Sequence, residues 1–296
     1  MLSRTRPFID ELSRAIPSRP FTIELWDGSR LPSTNGGGPT FEVRSPDAFA
    51  HALRSPGQLG LGRAYVAGSL GVDDLDEVLE LLDGWEPPPL DRRAQARLAL
   101  AAARASGIRR PPPLPASELR PRGRRHSRER DARSVRHHYD VSNDFFKLFL
   151  GESLTYSCAL FSRGANTLEE AQEAKLELVC QKLDLSPGNR VLDVGCGWGS
   201  FAMHAAANHD VSVVGITLSE PQAALARERA AERGLSERVD IRVMDYRDVT
   251  DEPFDAIASI GMVEHVGSVN IDAYAAKLAA LLKPGGRLLN HGIARL

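Results

Sequence analysis

The stretch Val191-Leu192-Asp193-Val194-Gly195-Cys196-Gly197-Trp198-Gly199 joins a short apolar strand pattern to a turn with glycine at every second position. Such a turn after a buried strand places backbone N–H groups and a helix N-terminus beside a ligand, and the missing side chains permit close approach. The same glycines would also suit a dinucleotide, or tight packing of a helix on a strand. The stretch therefore predicts a loop typical of α/β folds and leaves the ligand open.

Strand and helix patterns alternate around this loop. The capping box Thr167-Leu168-Glu169-Glu170 begins a helix that reaches about Leu183, and Gly234 ends a helix over 220–233. Strands are predicted at Arg190–Val194, Val211–Ile216, Val239–Val243, Phe254–Ile260 and about Arg287–His291, the last fed by a turn at Lys283–Gly286. This order predicts an α/β fold with a doubly wound, mostly parallel, Rossmann-like sheet.

Composition divides the chain into a small α+β domain (1–83), a Pro- and Arg-rich linker with one helical piece (84–133) and the α/β domain (134–296). Fourteen arginines against five acidic residues lie between Gly84 and Arg136, although the net charge is -2. The arginines indicate either a solvated charge run or attraction to an anionic surface, lipid or nucleic acid. Replacing those between Arg120 and Arg136 is then expected to weaken binding to anionic vesicles in a salt-dependent way.

Three scattered cysteines without a Cys-x-x-Cys pair predict neither disulfides nor a metal site, and favour a reducing cytoplasm. Apolar runs are too short to span a bilayer, so membrane contact is predicted to be peripheral.

The residues after the first two predicted strands argue against a dinucleotide. The second strand leads into Gly215-Ile216-Thr217-Leu218-Ser219, without the acid that holds ribose hydroxyls. Asp193 can organise the loop or accept from a cofactor's ammonium group. Thr217 and Gln222 can reach a ribose or carboxylate, although Ser219 and Gln222 also form a capping box. Tyr246 can cover an adenine or simply pack on the surface.

Three further motifs follow the same chain order as a known family. They are Val135-Arg136-His137-His138-Tyr139-Asp140-Val141-Ser142-Asn143-Asp144-Phe145-Phe146, Thr155-Tyr156-Ser157-Cys158-Ala159 and Gly261-Met262-Val263-Glu264-His265-Val266-Gly267. With the glycine loop and 215–219, they resemble the cyclopropane-fatty-acyl-phospholipid synthases, which include the mycolic acid cyclopropane synthases. The resemblance runs from about Ser134 to the end, and Leu61–Gly68 is similar, less specifically, to the lipid-associated N-terminal domain of longer synthases.

The resemblance implies transfer of the S-adenosylmethionine methyl carbon to the cis double bond of a phospholipid acyl chain. A carbocation, shielded from water, would then lose a proton to bound bicarbonate. The matching bicarbonate-site residues are Cys158, Glu264, His291 and Ile293, and the matching cofactor contacts are Tyr156, Asp193, Gly195, Gly197, Thr217, Leu218, Ser219, Gln222 and Tyr246. The expected partners are acyl chains at an anionic membrane surface, with no nucleic acid and a possible homodimer.

Taken singly, these residues have ordinary interpretations too. Cys158 alone is more often an inert small hydrophobe, Glu264 could pair with His265, and a histidine at a strand end such as His291 is commonly structural. Their joint position at the carboxyl ends of strands favours the catalytic interpretation.

Two departures from the family pattern carry expectations. The chain ends at Leu296, whereas the methyltransferase fold normally continues through two more strands, so weak or no activity is expected unless another chain supplies the rest. The segment Asn290-His291-Gly292-Ile293 stands where the family more often has Leu-His-Thr-Ile. Alternative functions are a related methyltransferase that leaves a methylene or methyl branch, a nucleic acid methyltransferase, or a non-catalytic remnant that binds lipid or cofactor.

Overall fold

A computed structural model describes residues 4–107, 112–120, 123, 127–139 and 142–293. It divides into two compact units, Met1–Glu118 and Leu119–Leu296. Within the described residues, no helix is both long and apolar enough to cross a membrane.

The N-terminal unit packs helices against a small mixed sheet. Its helices are α1 (Arg6–Ala15), α2 (Asp47–Arg54), α3 (Gln58–Val66), α4 (Leu75–Gly84) and α5 (Arg92–Ser106), and its strands are β1 (Thr22–Leu25), β2 (Arg30–Leu31), β3 (Thr40–Val43) and β4 (Leu70–Val72). The strand order is β2-β1-β3-β4, with β1 and β3 parallel and the outer pairs antiparallel. Leu25, Leu31, Val43 and Phe49 lie in its core, in agreement with an α+β module.

The structure differs from the predicted linker over 84–133. Helix α5 packs on the N-terminal core with Ala101, Ala102 and Ala105 buried, and the division between the units falls after Glu118. Asp91 caps this helix by accepting from the Ala94 N–H at 2.6 Å. The interpretation as a linker failed because alanines can line a close helix contact without the large apolar side chains that mark a core face.

The C-terminal unit begins with α6 (Arg128–Tyr139), α7 (Asn143–Lys147) and α8 (Leu168–Leu183). Strands and helices then alternate as β5 (Arg190–Val194), α9 (Ser200–His209), β6 (Ser212–Thr217), α10 (Glu220–Glu232), β7 (Val239–Val243), β8 (Phe254–Ile260), α11 (Val263–Val266), α12 (Ile271–Ala280) and β9 (Leu282–His291). The described strands form a parallel sheet in the order β7-β6-β5-β8-β9. One hydrophobic core lies on each face, which confirms the doubly wound Rossmann-like class.

The strand order reverses direction at β5, because β6 pairs with one edge of β5 and β8 with the other. Ligands of open α/β sheets bind outside the carboxyl ends of the strands at such a switch point. The chain therefore places its glycine loop, which follows β5, where the fold offers a binding crevice.

The turn predicted at Lys283–Gly286 is part of β9 in the structure. Phe254 pairs with Leu282 and Ala256 pairs with Arg287, so the turn residues form an irregularity opposite Asp255. A Cβ at Gly286 would lie 2.8 Å from the Asp255 carbonyl oxygen, which explains the glycine there. Turn-forming residues can bulge a strand as well as end it.

Candidate active site

A cavity of about 460 Å³ opens at the carboxyl ends of β5, β6 and β8. Its wall combines the glycine loop, the start of α10, the residues after β7 and β8, and one side of α6. The cavity therefore lies at the switch point that the sheet order defines.

The glycine loop lines this cavity through backbone conformations that other residues rarely adopt. Gly195 has φ +80° and Gly197 has φ +55°, both in the left-handed region. Gly197 lines the cavity, and a Cβ there would meet no described atom within 4 Å, so the loop has open space at this residue. The loop leads directly into α9, whose first N–H groups form a ready anion- or dipole-binding end.

Asp193, the next-to-last residue of β5, is 2% exposed, and its Oδ2 atom has no hydrogen-bond partner within the described residues. Burial raises the pKa of this carboxyl to about 7, against the opposing effect of Lys175. An unsatisfied buried carboxylate costs free energy. Its position in the cavity wall therefore suits a ligand with a cationic hydrogen-bond donor.

Lys175 is a cavity residue that the sequence interpretation missed. Burial lowers the pKa of its ammonium to about 8, and Nζ donates to Ser157 Oγ at 2.7 Å. It lies on the face of α8 that also buries Ala171 and Val179, four residues on either side. The sequence feature that could have identified Lys175 is its place in an apolar stripe of the helix, because a charged group at such a position requires a partner.

In the segment after β6, some residues line the cavity and one caps α10. Thr217, Leu218 and Gln222 line the cavity, and Thr217 Oγ1 donates to Gln222 Oε1 at 2.8 Å. Ser219 does not line it: its side chain is fully buried and accepts from the Gln222 N–H at 3.3 Å as the α10 cap. For Ser219, the structure thus favours the capping role.

Tyr246 follows β7 and lines the cavity, packed edge-on against Tyr274 with 5.1 Å between ring centroids. The Arg247 guanidinium lies 5.5 Å from the Tyr246 ring centroid and is held by the Asp245 carboxylate. Burial raises the pKa of Tyr246, so its hydroxyl stays protonated. Its ring stands in the wall at the β7 end, where an adenine face was predicted.

Helix α6 lines the cavity although its composition resembles a charged linker. Asp131 and Tyr139 face the cavity, and Arg128 donates to Asp248 at 2.6 Å. The described helix has no buried residue, which explains why hydrophobic periodicity did not reveal it. The motif over 135–146 includes Asp140 and Val141, which lie outside the described residues, as do Arg122, Arg124 and Arg125 of the basic segment.

Buried Arg229 ties the glycine loop to the chain before Tyr156. It is 8% exposed and donates to the carbonyl oxygens of Trp198 at 2.7 Å and of Glu152 and Ser153 at 2.9 Å each. Burial lowers the pKa of its guanidinium to about 10. The contacts fix the end of the loop relative to the segment that leads into the tyrosine.

The structure brings together only some of the residues predicted for the bicarbonate site. Glu264 lines the cavity, and its Oε1 accepts from the Ile293 N–H at 2.7 Å. His291 does not line the cavity, but its Nδ1 is buried without a partner in the described chain. Ile293 is 73% exposed, and it meets the site through its backbone N–H, which donates to Glu264.

Gly292 explains the departure from Leu-His-Thr-Ile. A Cβ there would lie 2.4 Å from Val263 Cγ1 and 3.4 Å from Glu264 Oε1. A side chain at this position would therefore require Val263 to shift, whereas its Cβ would only be in ordinary contact with Glu264.

Tyr156 lines the cavity and remains 47% exposed, whereas Cys158 is exposed and lies outside the lining residues. Tyr156 packs with Phe146 at 5.4 Å and Phe149 at 6.2 Å between ring centroids. The aromatic group continues onto the surface, where Leu148 is 82% exposed. An apolar surface therefore adjoins the rim of the cavity at Tyr156.

The sheet, the switch-point cavity and the glycine loop define the class: a Rossmann-like fold of the S-adenosylmethionine-dependent methyltransferases. Residues 126–296 match the model of the mycolic acid cyclopropane synthetase family, and the chain belongs to this family.

Relatives with known names agree with this family. The chain is 41% identical to a probable fatty acid methyltransferase of Mycobacterium tuberculosis, over 96% of this chain and 69% of that protein. It is 40% identical to the cyclopropane-fatty-acyl-phospholipid synthase of Escherichia coli, over 88% of this chain and 62% of that protein. The crystallised cyclopropane synthase MmaA2 from Mycobacterium tuberculosis is 43% identical, with a TM-score of 0.52 over 54% of this chain and 56% of that one. The chain thus spans 69% and 62% of the length of the two curated relatives.

Proposed function

We propose that this chain transfers the methyl carbon of S-adenosylmethionine to the cis double bond of a phospholipid acyl chain and closes a cyclopropane ring. The observation that carries the proposal is that one cavity is lined by two features. One is the buried Asp193 carboxylate, whose Oδ2 has no partner among the described residues, and the other is Glu264, which accepts from the Ile293 N–H.

The first end fits S-adenosylmethionine, which supplies an electrophilic methyl group when bound. Asp193 would accept from its ammonium group and thereby satisfy the buried carboxylate. Thr217 and Gln222 would hold its ribose or carboxylate, and Tyr246 would cover the adenine face. The open side of Gly197 leaves room for the close approach.

The other end fits removal of a proton after methyl transfer. Glu264 accepts from the Ile293 N–H. His291, the last residue of β9, has a buried Nδ1 without a partner among the described residues. We infer that these groups, with Cys158, hold a bicarbonate ion as the base. Cys158 would have to turn toward the cavity, because its side chain is exposed in the structure.

The exposed apolar surface beside Tyr156 supports an acyl substrate. Phe145, Leu148 and Phe149 are 46%, 82% and 45% exposed, next to a ring that lines the cavity. Exposed Arg133 and Arg136 on α6 supply positive charge on the same unit. A peripheral enzyme that takes acyl chains from an anionic, cytoplasmic membrane surface would use both features.

The test incubates the full chain with methyl-labelled S-adenosylmethionine and vesicles of cis-unsaturated phospholipid, followed by mass analysis of the released fatty acids. The expected result is a gain of one CH2 unit as a ring, lost in Glu264→Gln and retained in Glu173→Gln, an exposed matched control. No label in the acyl chain, with cofactor binding intact, would refute the lipid substrate.

A methyl or methylene branch in place of the ring is the second candidate. It is favoured by the 41% identity to a probable fatty acid methyltransferase. A methylene branch has the same mass as the ring, and the two are distinguished by their fragmentation. A saturated methyl branch carries two more hydrogens and can form only when a separate hydride donor, such as a reduced nicotinamide, is supplied to reduce the methylene group.

A further inference from the structure

A second group of chemically reactive side chains lies between α8 and α9. It consists of Glu177, Cys180, His204 and His209, and one ligand atom from each lies within 4.8 Å of every other. Oε2 of Glu177 is 2.9 Å from His209 Nε2 and 3.4 Å from His204 Nε2. These four residues are absent from the lining of the cavity described above, so the group is separate from the methyltransferase site.

Helix geometry explains the convergence. Glu177 and Cys180 are three residues apart on α8 and therefore share a face, which α9 covers. His204 lies within α9 and His209 is its last residue. The two helices thus contribute two ligands each to one point.

We infer that Glu177, Cys180, His204 and His209 bind a zinc ion that clamps α8 to α9. Thiolate and imidazole together select zinc over the oxygen-preferring magnesium and calcium. With Zn–N near 2.0 Å and Zn–S near 2.3 Å, ligand atoms of a tetrahedral site are about 3.3–3.8 Å apart. Closing the present group around an ion therefore needs side-chain movements of about 1 Å.

The surroundings of the four ligands fit this role. Asn208 Nδ2 lies 3.2 Å from His204 Nδ1. When Nε2 binds the ion, Nδ1 carries the proton, and a turn of the Asn208 amide presents its oxygen as the acceptor. The side chains of Glu177 and His209 are 38% and 20% exposed, which gives an ion access from solvent, whereas Cys180 is fully buried.

Four protein ligands complete the coordination of zinc, so the site is structural and leaves no open position for a substrate. Binding displaces the Cys180 thiol proton to solvent. Helix α8 also carries Lys175, and α9 starts directly after Gly199. A clamp between these helices would therefore hold two walls of the cavity together.

The experiment uses the full chain, stripped of metal with a chelator, and cobalt as a spectroscopic probe for zinc. We expect one Co²⁺ per chain, with tetrahedral d–d bands and a thiolate-to-cobalt charge-transfer band that zinc abolishes by displacement. Cys180→Ser should lose the charge-transfer band, and Cys158→Ser should keep it. Absence of stoichiometric Co²⁺ binding, or a band that survives in Cys180→Ser, would overturn the zinc site.

A second readout guards against a variant that fails to fold. Zinc should raise the thermal midpoint of the wild-type chain by about 5–10 °C at a hundredfold excess over its dissociation constant. His209→Ala changes a partly exposed residue and should abolish this rise while still binding S-adenosylhomocysteine. An equal rise in both proteins would contradict the proposal.

Discussion

The two ends of the cavity differ in how their residues are brought together. At the β5–β6 end, five residues predicted to contact the cofactor line the cavity: Asp193, Gly195, Gly197, Thr217 and Gln222. At the other end only Glu264 of the predicted catalytic residues lines it, and His291, Ile293 and Cys158 do not. The first group lies at or just after the carboxyl ends of two adjacent parallel strands, so the pairing of β5 with β6 brings its segments together. The second group depends on segments whose side-chain directions no local pattern specifies.

The largest expected effect comes from Asp193→Asn. If the carboxylate binds the ammonium group of S-adenosylmethionine, its loss should weaken binding roughly ten- to hundredfold, the worth of a charged hydrogen bond. Because the pKa of Asp193 is about 7, wild-type affinity should fall as pH drops below 7, and the variant should lack this dependence. Isothermal titration between pH 6 and 8 measures both.

The same substitution has an opposite effect on stability. The folded pKa of Asp193 lies above its ordinary value, so ionisation destabilises the fold as pH rises from about 4 to 7. Asp193→Asn should remove that loss, seen by urea unfolding at pH 5 and 8. Asp272→Asn, at an exposed position, is the control. If Asp193→Asn binds S-adenosylmethionine as tightly as the wild-type chain, the carboxylate does not bind the cofactor, and the predicted role of the β5–β6 end is wrong.

Gly197→Ala tests whether the cofactor occupies the open space at this position of the glycine loop. Its φ of +55° should cost about 1 kcal/mol of stability for any side chain, and its Cβ should reduce cofactor affinity by at least about tenfold through the lost close approach. Gly164→Ala is matched, because Gly164 also has positive φ and open space around a Cβ but lies outside the cavity wall. Equal affinity in the two variants would show that the loop does not contact the cofactor.

Ser219→Ala should have the smallest effect on binding. As a buried cap of α10, Ser219 should contribute about 1 kcal/mol to the free energy of unfolding. Thr167→Ala, which removes the cap of α8, should cost a similar amount. Cofactor affinity should stay nearly unchanged in both. A marked loss of cofactor affinity in Ser219→Ala, without a similar loss in Thr167→Ala, would show that Ser219 contributes to cofactor binding.

The sequence predicted the alternation of strands and helices because buried parallel strands and capping boxes leave strong local patterns. The strands Arg190–Val194, Val239–Val243 and Phe254–Ile260 have the predicted bounds. The patterns fail where packing does not need large apolar groups. Helix α5 packs through alanines, so it was predicted only as a helical piece of the linker. Helix α6 has no buried residue among those described, and its residues 128–133 were included in the linker.

Candidate site residues could be predicted where they belong to a continuous sequence motif whose local structure places them at a strand end. Lys175 was missed because a single buried lysine forms no motif, and its role depends on Asp193, eighteen residues further along the chain. The contact between Glu264 and Ile293 likewise joins a residue of α11 to a residue that follows β9, and no local sequence pattern predicts it.

Arg229 has a consequence for how the C-terminal unit opens. One guanidinium satisfies carbonyls that lie 31, 76 and 77 residues away in sequence. If either loop moves away, a buried cation loses acceptors at a cost larger than that of an ordinary backbone hydrogen bond. The glycine loop and the chain before Tyr156 therefore share one opening event, and their amide protons should exchange with solvent together.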